Sequence, residues 1–263
     1  MESGKVLIDG DIVAYKAAAS LESKYFKDAV STDLKLYKYK QEHYEEFVKG
    51  YKFWAAGHRG LESHIDKSMR NLIQKTVRFP EDGLYQVYLT GSRNFRYDVA
   101  KSYPYKGTRK LTPKPIDLPS ARDYLVEEYE AIVSEGEEAD DLIAIEATRC
   151  GPTTIVVSID KDMLQIPCRH FNMDKETWTT VTEGTGLKFF YTQLLTGDAS
   201  DNIKGVRGIG PKTAEKLLAD LNTEGELWDV CVEKYKGDVQ RVVENARLLW
   251  LRRRVGELWI PPK

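Results

Sequence analysis

The sequence is poor in residues that staple a chain or thread it through lipid. Only three of its 263 residues are cysteine. Cys150, Cys168 and Cys231 are odd in number and lack metal-ligand spacing, which excludes a disulfide framework and a zinc site and points to a reducing, cytoplasmic compartment. No apolar run approaches the ~20 residues of a membrane helix, so no membrane partner is expected. The opening Met-Glu-Ser-Gly-Lys-Val-Leu-Ile-Asp carries acids and breaks its apolar stretch too early for a secretory signal. Neither an internal repeat nor a low-complexity tract is present. Histidine is scarce: His43, His58, His64 and His170 all fall outside the acidic motifs described below.

What remains is the composition of a globular chain, 41% hydrophobic and 30% charged, with a length between one and two domains at ~150 residues each. Lys and Arg total 39 against 41 Asp and Glu, a net charge of -2 that argues against nucleic acid only if charge is spread evenly. It is not. Acids concentrate between Glu135 and Asp162, whereas bases cluster at Lys106 to Lys110 and Arg247 to Arg254. Such a chain can hold metal in one place and phosphate in another.

The run Lys5 to Ile8 reads as a strand leaving its sheet through Asp9-Gly10, with a helix starting near Asp11. From Tyr15 to Gln74 the text favours helices with solvated faces and shows no chemistry. Pro80 to Gly83 reads as a turn, Leu84 to Leu89 as a second strand, and Thr153 to Ile159 as a strand buried on both faces. Between Lys101 and Pro119 the chain is basic, aromatic and proline-rich, which forbids a continuous helix. Alternating strands and helices predict an α/β fold, a mainly parallel central sheet flanked by helices, followed by a helical C-terminal region. The expected division is an α/β domain over 1–197, with a helical insert at about 15–78 and a basic, arch-like segment at about 101–119, and a helical region over 198–263.

In open α/β sheets ligands bind beyond the carboxyl ends of the strands. Asp9 and Asp160 each sit at such an end, and Asp162 follows two residues on. Glu138, Asp140 and Asp141 precede an apolar helical pattern and fall in a helix's first turn, where negative charge is favoured. Asp198 and Asp201 are three apart, close enough to share one face of a turn. Each acid alone reads as a cap or a solvated surface group. Gathered together, unit charges ~4 Å apart repel by ~4 kcal/mol at a dielectric near 20, so convergence would require hard cations, Mg2+ or Mn2+.

The stretch Gly205 to Ala214 contains Arg207, Gly208, Ile209, Gly210, Pro211, Lys212 and Thr213 and runs into an amphipathic helix with Pro211 at its first position. Glycines let a phosphate approach the backbone, and the helix start supplies unpaired amides. The whole string reads as a helix-hairpin-helix type clamp on a nucleic-acid backbone. Tyr103 and Tyr105 suit either stacking on bases or packing. Arg247, Arg252, Arg253 and Arg254 interleave with leucines in a helical pattern, which suits a phosphate-contacting face and suits an ordinary amphipathic helix better.

These motifs together resemble the flap endonuclease and 5′-to-3′ exonuclease superfamily, in its short bacteriophage form. They are Val-Leu-Ile-Asp9-Gly, Tyr105-Lys106-Gly-Thr-Arg109, Glu138-Ala-Asp140-Asp141, Ser-Ile-Asp160-Lys-Asp162, and Gly197-Asp198-Ala-Ser-Asp201-Asn202 leading into the glycine hairpin. The resemblance implies a metal-dependent phosphodiesterase on DNA with 5′ ends, branches or flaps, releasing 5′-phosphorylated products. The acids at Asp9, Glu138, Asp140, Asp141, Asp160, Asp162, Asp198 and Asp201 would hold two divalent ions. Lys106 and Arg109 would lie near the scissile phosphate, and Tyr105, Arg207, Gly208, Gly210, Lys212 and Thr213 would contact DNA. K+ at the hairpin carbonyls and, for a phage-encoded chain, the host cytoplasm are further implications.

One departure stands out. The family usually ends its second strand on an aspartate, whereas this chain reads Tyr88-Leu89-Thr90-Gly91. The mechanism implied is in-line attack by water activated on a cation, with a second cation stabilising the leaving oxygen and the two bases neutralising the phosphate. Two other readings share the scaffold: removal of RNA from RNA:DNA hybrids, and a catalytically weakened binder of branched DNA.

Overall fold

The computed structural model describes residues 5–30, 34–57, 60–76, 85–108 and 113–262. The expected turn at Pro80 to Gly83 lies outside the described residues, as does Arg109.

The apolar run near the start forms β1 (Val6–Asp9), whose residues are all buried. It feeds α1 (Gly10–Tyr25), capped by the Asp9 carboxylate and continued by a π-helical turn over Phe26–Val30. The insert then folds as α2 (Leu36–Glu42), α3 (Tyr44–Ala56) and α4 (Leu61–Thr76). After β2 (Tyr85–Leu89) come a short α5 (Arg96–Val99), α6 (Leu118–Tyr129), β3 (Ile132–Val133) and α7 (Ala139–Cys150). β4 (Ile155–Val157) is followed by a 3-10 turn over Lys161–Gln165 and by the hairpin of β5 (Arg169–Asn172) and β6 (Thr177–Thr180).

These strands make one six-stranded sheet in the order β3-β2-β1-β4-β5-β6. All neighbours are parallel except β5 and β6. Side chains alternate along the strands as the pleat requires. Val6, Ile8, Val87, Leu89 and Val157 pack with Val13, Ala17, Met69 and Leu125 of α1, α4 and α6, while Leu7, Tyr88 and Val156 pack with Ala139, Ile143 and Ala147 of α7 on the other face. Cover on both faces is why the central strands read as continuous apolar text.

The C-terminal region comprises α8 (Glu183–Thr196), a two-stranded ribbon of β7 (Gly197–Asp198) and β8 (Ile203–Lys204), then α9 (Pro211–Leu218), α10 (Glu224–Lys234) and α11 (Val239–Leu249). Phe190, Leu194, Ala214, Leu218, Leu227, Val242 and Ala246 form its core.

The arginine-rich stretch departs from its helical pattern. α11 ends at Leu249 because Trp250 turns extended, and three of the four arginines are spent internally. Arg247 donates to the Trp259 carbonyl at 3.2 Å, Arg252 is buried against Glu137 at 2.9 Å, and Arg253 donates to the Gln165 carbonyl at 2.8 Å. These three tie the tail to α11 and to the α/β layer, while Arg254 stays exposed.

Candidate active site

Because β1 and β4 are parallel neighbours, their carboxyl ends open side by side, and the segments leaving them meet in one cavity of about 920 Å³. Seven of the eight expected carboxylates line it: Asp9, Glu138, Asp140, Asp160, Asp162, Asp198 and Asp201. The eighth does not. Asp141 is fully buried beneath the cavity, with both oxygens engaged by Arg96, because the first helical turn sends consecutive side chains in different directions. Asp11, to which the sequence motifs assign no role, takes a place in the lining instead.

Local backbone geometry aims each group. Asp9 caps α1 through Ile12 N and accepts a 2.7 Å bond from Ser158 Oγ at the end of β4. Ser158 in turn receives Asp160 N at 3.0 Å, and Asp160 accepts from Asp162 N at 2.9 Å, so one chain of bonds fixes three acids. Glu138 caps α7 in a reciprocal box with Asp141. Ser200 donates to Asp198 from both its amide, at 2.7 Å, and its hydroxyl, at 2.5 Å.

The electrostatics show what burial does to such a group. Desolvation pushes the Asp9 carboxyl up to about 6 against the bonds from Ser158 and Ile12. Burial, with Asp160 and Asp198 nearby, carries Asp162 to about 7. Asp140 is driven well above the usual carboxylate range by burial and by repulsion from Asp9, Asp160, Glu138 and Asp141. It also makes no side-chain hydrogen bond among the described residues. Burial works the same way on Asp198, yet Ser200 and Lys161 outweigh it and hold that group low.

Cations stand among these acids. Lys106 Nζ contacts Glu138, Lys161 Nζ lies 2.9 Å from Asp198, and Gln193 donates to Asp162 at 2.6 Å. Lys106 is held at φ +57 with its amide on the Asp201 carbonyl at 2.9 Å, a left-handed conformation uncommon outside glycine. With these partners in place, no three Asp, Glu, His or Cys groups among the described residues are closed around a point that could hold a metal ion. The donor chemistry itself fits a hard divalent cation: all-oxygen, crowded, desolvated and short of positive charge at Asp140.

Tyr105 departs from its expected role. It is 5% exposed and donates to Asp201 at 2.7 Å and Glu138 at 3.2 Å; a buried ring has no face to offer a base. Tyr103 remains 47% exposed, under the Arg241 guanidinium.

The missing aspartate at the end of β2 has a steric counterpart. A Cβ at Gly91 would fall 1.9 Å from the Ser134 carbonyl oxygen, so the backbone there leaves no room for a side chain. Asp11 occupies the neighbouring corner, accepting from Thr90 N at 2.9 Å and paired with Arg122. Its signal in the sequence was its place two residues beyond Asp9. Lys161, between two acids, was equally visible; Arg96 was not, since its partner lies 45 residues away.

The glycine hairpin joins α8 to α9 and reaches the cavity through the β7–β8 ribbon that carries Asp198. Its turn is closed by Val206 N on the Leu195 carbonyl at 2.8 Å and Ile209 N on the Val206 carbonyl at 3.1 Å. Gly208 adopts φ +85, where a side chain would be strained. Arg207, Gly208, Gly210, Lys212 and Thr213 are all at least partly exposed, and Gly210 caps α9 without a side chain, leaving its first turn open.

Comparison with known proteins gives the following. No family model matches the chain. A flap endonuclease Xni from Aeromonas salmonicida is 31% identical over 192 residues, covering 61% of this chain and 72% of that protein. A DNA polymerase I from Rhizobium leguminosarum is 32% identical over 185 residues, 62% of this chain but 18% of the polymerase; the chain spans less than a fifth of the DNA polymerase I relatives it matches first. Among solved structures, T5 5′-exonuclease with divalent metal ions (zinc) bound superposes with a TM-score of 0.61 at 16% identity, over 94% of this chain and 89% of that one. The bacteriophage T5 D15 flap endonuclease, in a pseudo-enzyme-product complex with DNA and metal ions, gives 0.55 at 14% identity, over 93% and 88%. Among the described residues no helix is long and apolar enough to cross a membrane.

Proposed function

The chain belongs to the 5′-to-3′ exonuclease and flap endonuclease superfamily, and from that membership we propose that it hydrolyses phosphodiester bonds at DNA 5′ ends or flaps, with divalent metal ions as cofactor. The observation that carries this reading is the gathering of seven acids from four chain segments around one cavity, with Asp140 left unpartnered at its centre of repulsion.

Asp9, Glu138, Asp140, Asp160, Asp162, Asp198 and Asp201 would hold Mg2+ or Mn2+, directly or through water. Bound there, such ions supply activation of water and neutralisation of charge on the phosphate. The protein's own part is positioning. Ser158 fixes Asp9 and Asp160 relative to each other, and Tyr105 ties Glu138 to Asp201. Lys106 and Lys161 bring positive charge to the cavity mouth, where it stabilises charge developing on a phosphate oxygen. Arg109 adds to them in this proposal. The exposed hairpin of Arg207, Gly208, Gly210, Lys212 and Thr213 grips the duplex backbone through charge and open amides, with its carbonyls suited to K+.

The RNA:DNA hybrid is the alternative substrate on the same scaffold, the choice between the two turning on contacts to the sugar hydroxyl. Incubating labelled DNA flaps and RNA:DNA hybrids side by side, with Mg2+ or EDTA, tests both. Metal-dependent release of 5′-phosphorylated DNA products supports the proposal; binding without cleavage in Mg2+ and in Mn2+ overturns it.

A further inference from the structure

Lys106 reaches the carboxylate cavity from a segment that is neither helix nor strand. Residues 101–108 follow α5, and the one backbone bond closed within them, among the described residues, runs from Gly107 N to the Pro104 carbonyl at 3.0 Å. Left to itself such a stretch would sample many conformations. We propose that Glu244 of α11 is a positioning residue for the nuclease reaction: it anchors the entry of this segment and so sets the place of Lys106 beside the carboxylates. The proposal rests on the nuclease reading and adds to it a residue that does not itself line the cavity.

Glu244 accepts three hydrogen bonds from two consecutive residues. Its Oε1 takes the amides of Lys101 at 2.9 Å and Ser102 at 2.7 Å, and its Oε2 takes the Ser102 hydroxyl at 2.6 Å. Bonds to an ionised acceptor are the strong ones, and the Glu244 side chain is only 13% exposed. Burial by itself raises this carboxyl, yet the bonds from Ser102 and Lys101, with Arg241 nearby, hold it below its usual range. One turn earlier on α11, Arg241 lies 3.8 Å from Glu244 and sets its guanidinium 4.8 Å over the Tyr103 ring. One face of α11 therefore grips Lys101, Ser102 and Tyr103 in succession.

From there the hold passes on to Lys106. Asn202, at φ +60 between the strands of the β7–β8 ribbon, donates to the Pro104 carbonyl at 3.0 Å. Tyr105 is tied through its hydroxyl to Asp201 and Glu138, and the Lys106 amide closes on the Asp201 carbonyl at 2.9 Å. The far end of the basic stretch is fixed as well, where the buried pair of Lys40 and Glu22 binds the Lys114 carbonyl at 3.2 Å and the Ile116 amide at 2.8 Å. Asp201 and Glu138 are candidate metal ligands, and Asn202 adjoins one of them. Glu244 is the hold that can be cut without touching the metal site.

Cutting it should loosen Lys106 and slow cleavage. In Glu244→Ala, hydrogen exchange at the Lys101, Ser102 and Lys106 amides of the metal-free protein should quicken, while the amides of β1 and β4 exchange as before. Single-turnover cleavage of a labelled flap in Mg2+ should fall about tenfold at saturating enzyme with little change in affinity, because a misplaced group costs rate rather than binding. Glu244→Gln should recover most of that rate, since its amide oxygen still accepts both backbone amides and its NH2 can donate to the Ser102 hydroxyl. Adding Glu244→Ala to Lys106→Ala should slow cleavage no further than Lys106→Ala does alone. Unchanged exchange at the Lys106 amide, an unchanged rate, a Gln variant as slow as the Ala variant, or losses at the two positions that multiply, each overturns the proposal. If the unaltered protein itself fails to cleave in Mg2+ and in Mn2+, the nuclease reading falls instead, and the exchange measurement still decides whether Glu244 places Lys106.

Discussion

Arg96 and Asp141 are joined by two hydrogen bonds, of 2.6 and 2.9 Å, directly beneath the carboxylate cavity. The side chains are 2% and 0% exposed. Arg96 also donates to the carbonyls of Leu248 at 2.9 Å and Trp250 at 3.0 Å, so a single guanidinium links the start of α7 to the end of α11. A planar fork with five donors suits this four-way junction, and a lysine does not.

Arg96→Met should therefore cost about 3–5 kcal/mol of stability, because it strands the Asp141 charge in the interior. Urea denaturation measures it. Arg96→Met combined with Asp141→Leu should recover a substantial part of the loss; a double variant less stable than the single one would contradict this account.

Divalent ions should stabilise the protein, and more so as pH rises. Asp9 and Asp162 have folded-state pKa values raised to about 6 and about 7. A raised carboxylate contributes stability in full below its unfolded value and loses it as pH climbs through the folded one. The metal-free protein should weaken between about pH 5 and about pH 8 as those groups ionise, while a cation binds the ionised form. At a hundredfold excess over its dissociation constant a ligand adds about 2.7 kcal/mol. Thermal melts at the two ends of that range, with Mg2+ and with EDTA, test this; an Mg2+ effect that is equal at both ends, or larger at the lower, would contradict it.

Lys106→Ala should lower kcat about a hundredfold, by analogy with removal of a preorganised charge donor. Metal-free affinity for DNA should change little, since Lys106 is engaged with Glu138 rather than free on the surface. Single-turnover cleavage beside anisotropy separates the two. An unaltered rate would remove Lys106 from the chemistry.

Lys212→Ala should weaken duplex binding and reduce the salt dependence by about one in logarithmic slope if Lys212 neutralises one phosphate. Its exposed position at the start of α9 leaves the fold untouched. Titrations over a range of salt give the slope, and an unchanged one counts against the clamp.

Legibility followed locality. β1, β2 and β4 were readable because strands covered on both faces need uninterrupted apolar text, and the acids at their ends followed from the rule for parallel sheets. Glu138 and Asp140 were readable from the helix behind them. The β5–β6 hairpin is not: Thr177–Thr180 lies exposed on the sheet edge, and its threonine-rich text carries little burial signal. The inward turn of Asp141 is not legible, because it depends on Arg96, a partner 45 residues away. In the tail Leu248, Leu249 and Leu251 are buried as a helical pattern suggests, yet the helix stops at Leu249. The grip of Lys40 and Glu22 on the segment after the basic stretch spans far too much chain for spacing to disclose.

The most direct test of the account is Asp160→Ala, measured for both cleavage and binding of a 5′-labelled flap in Mg2+. Asp160 lines the cavity and takes no part in the hydrophobic core. The account predicts that cleavage falls about a hundredfold or more while affinity for the flap persists. Cleavage at the unaltered rate would contradict the account at its root.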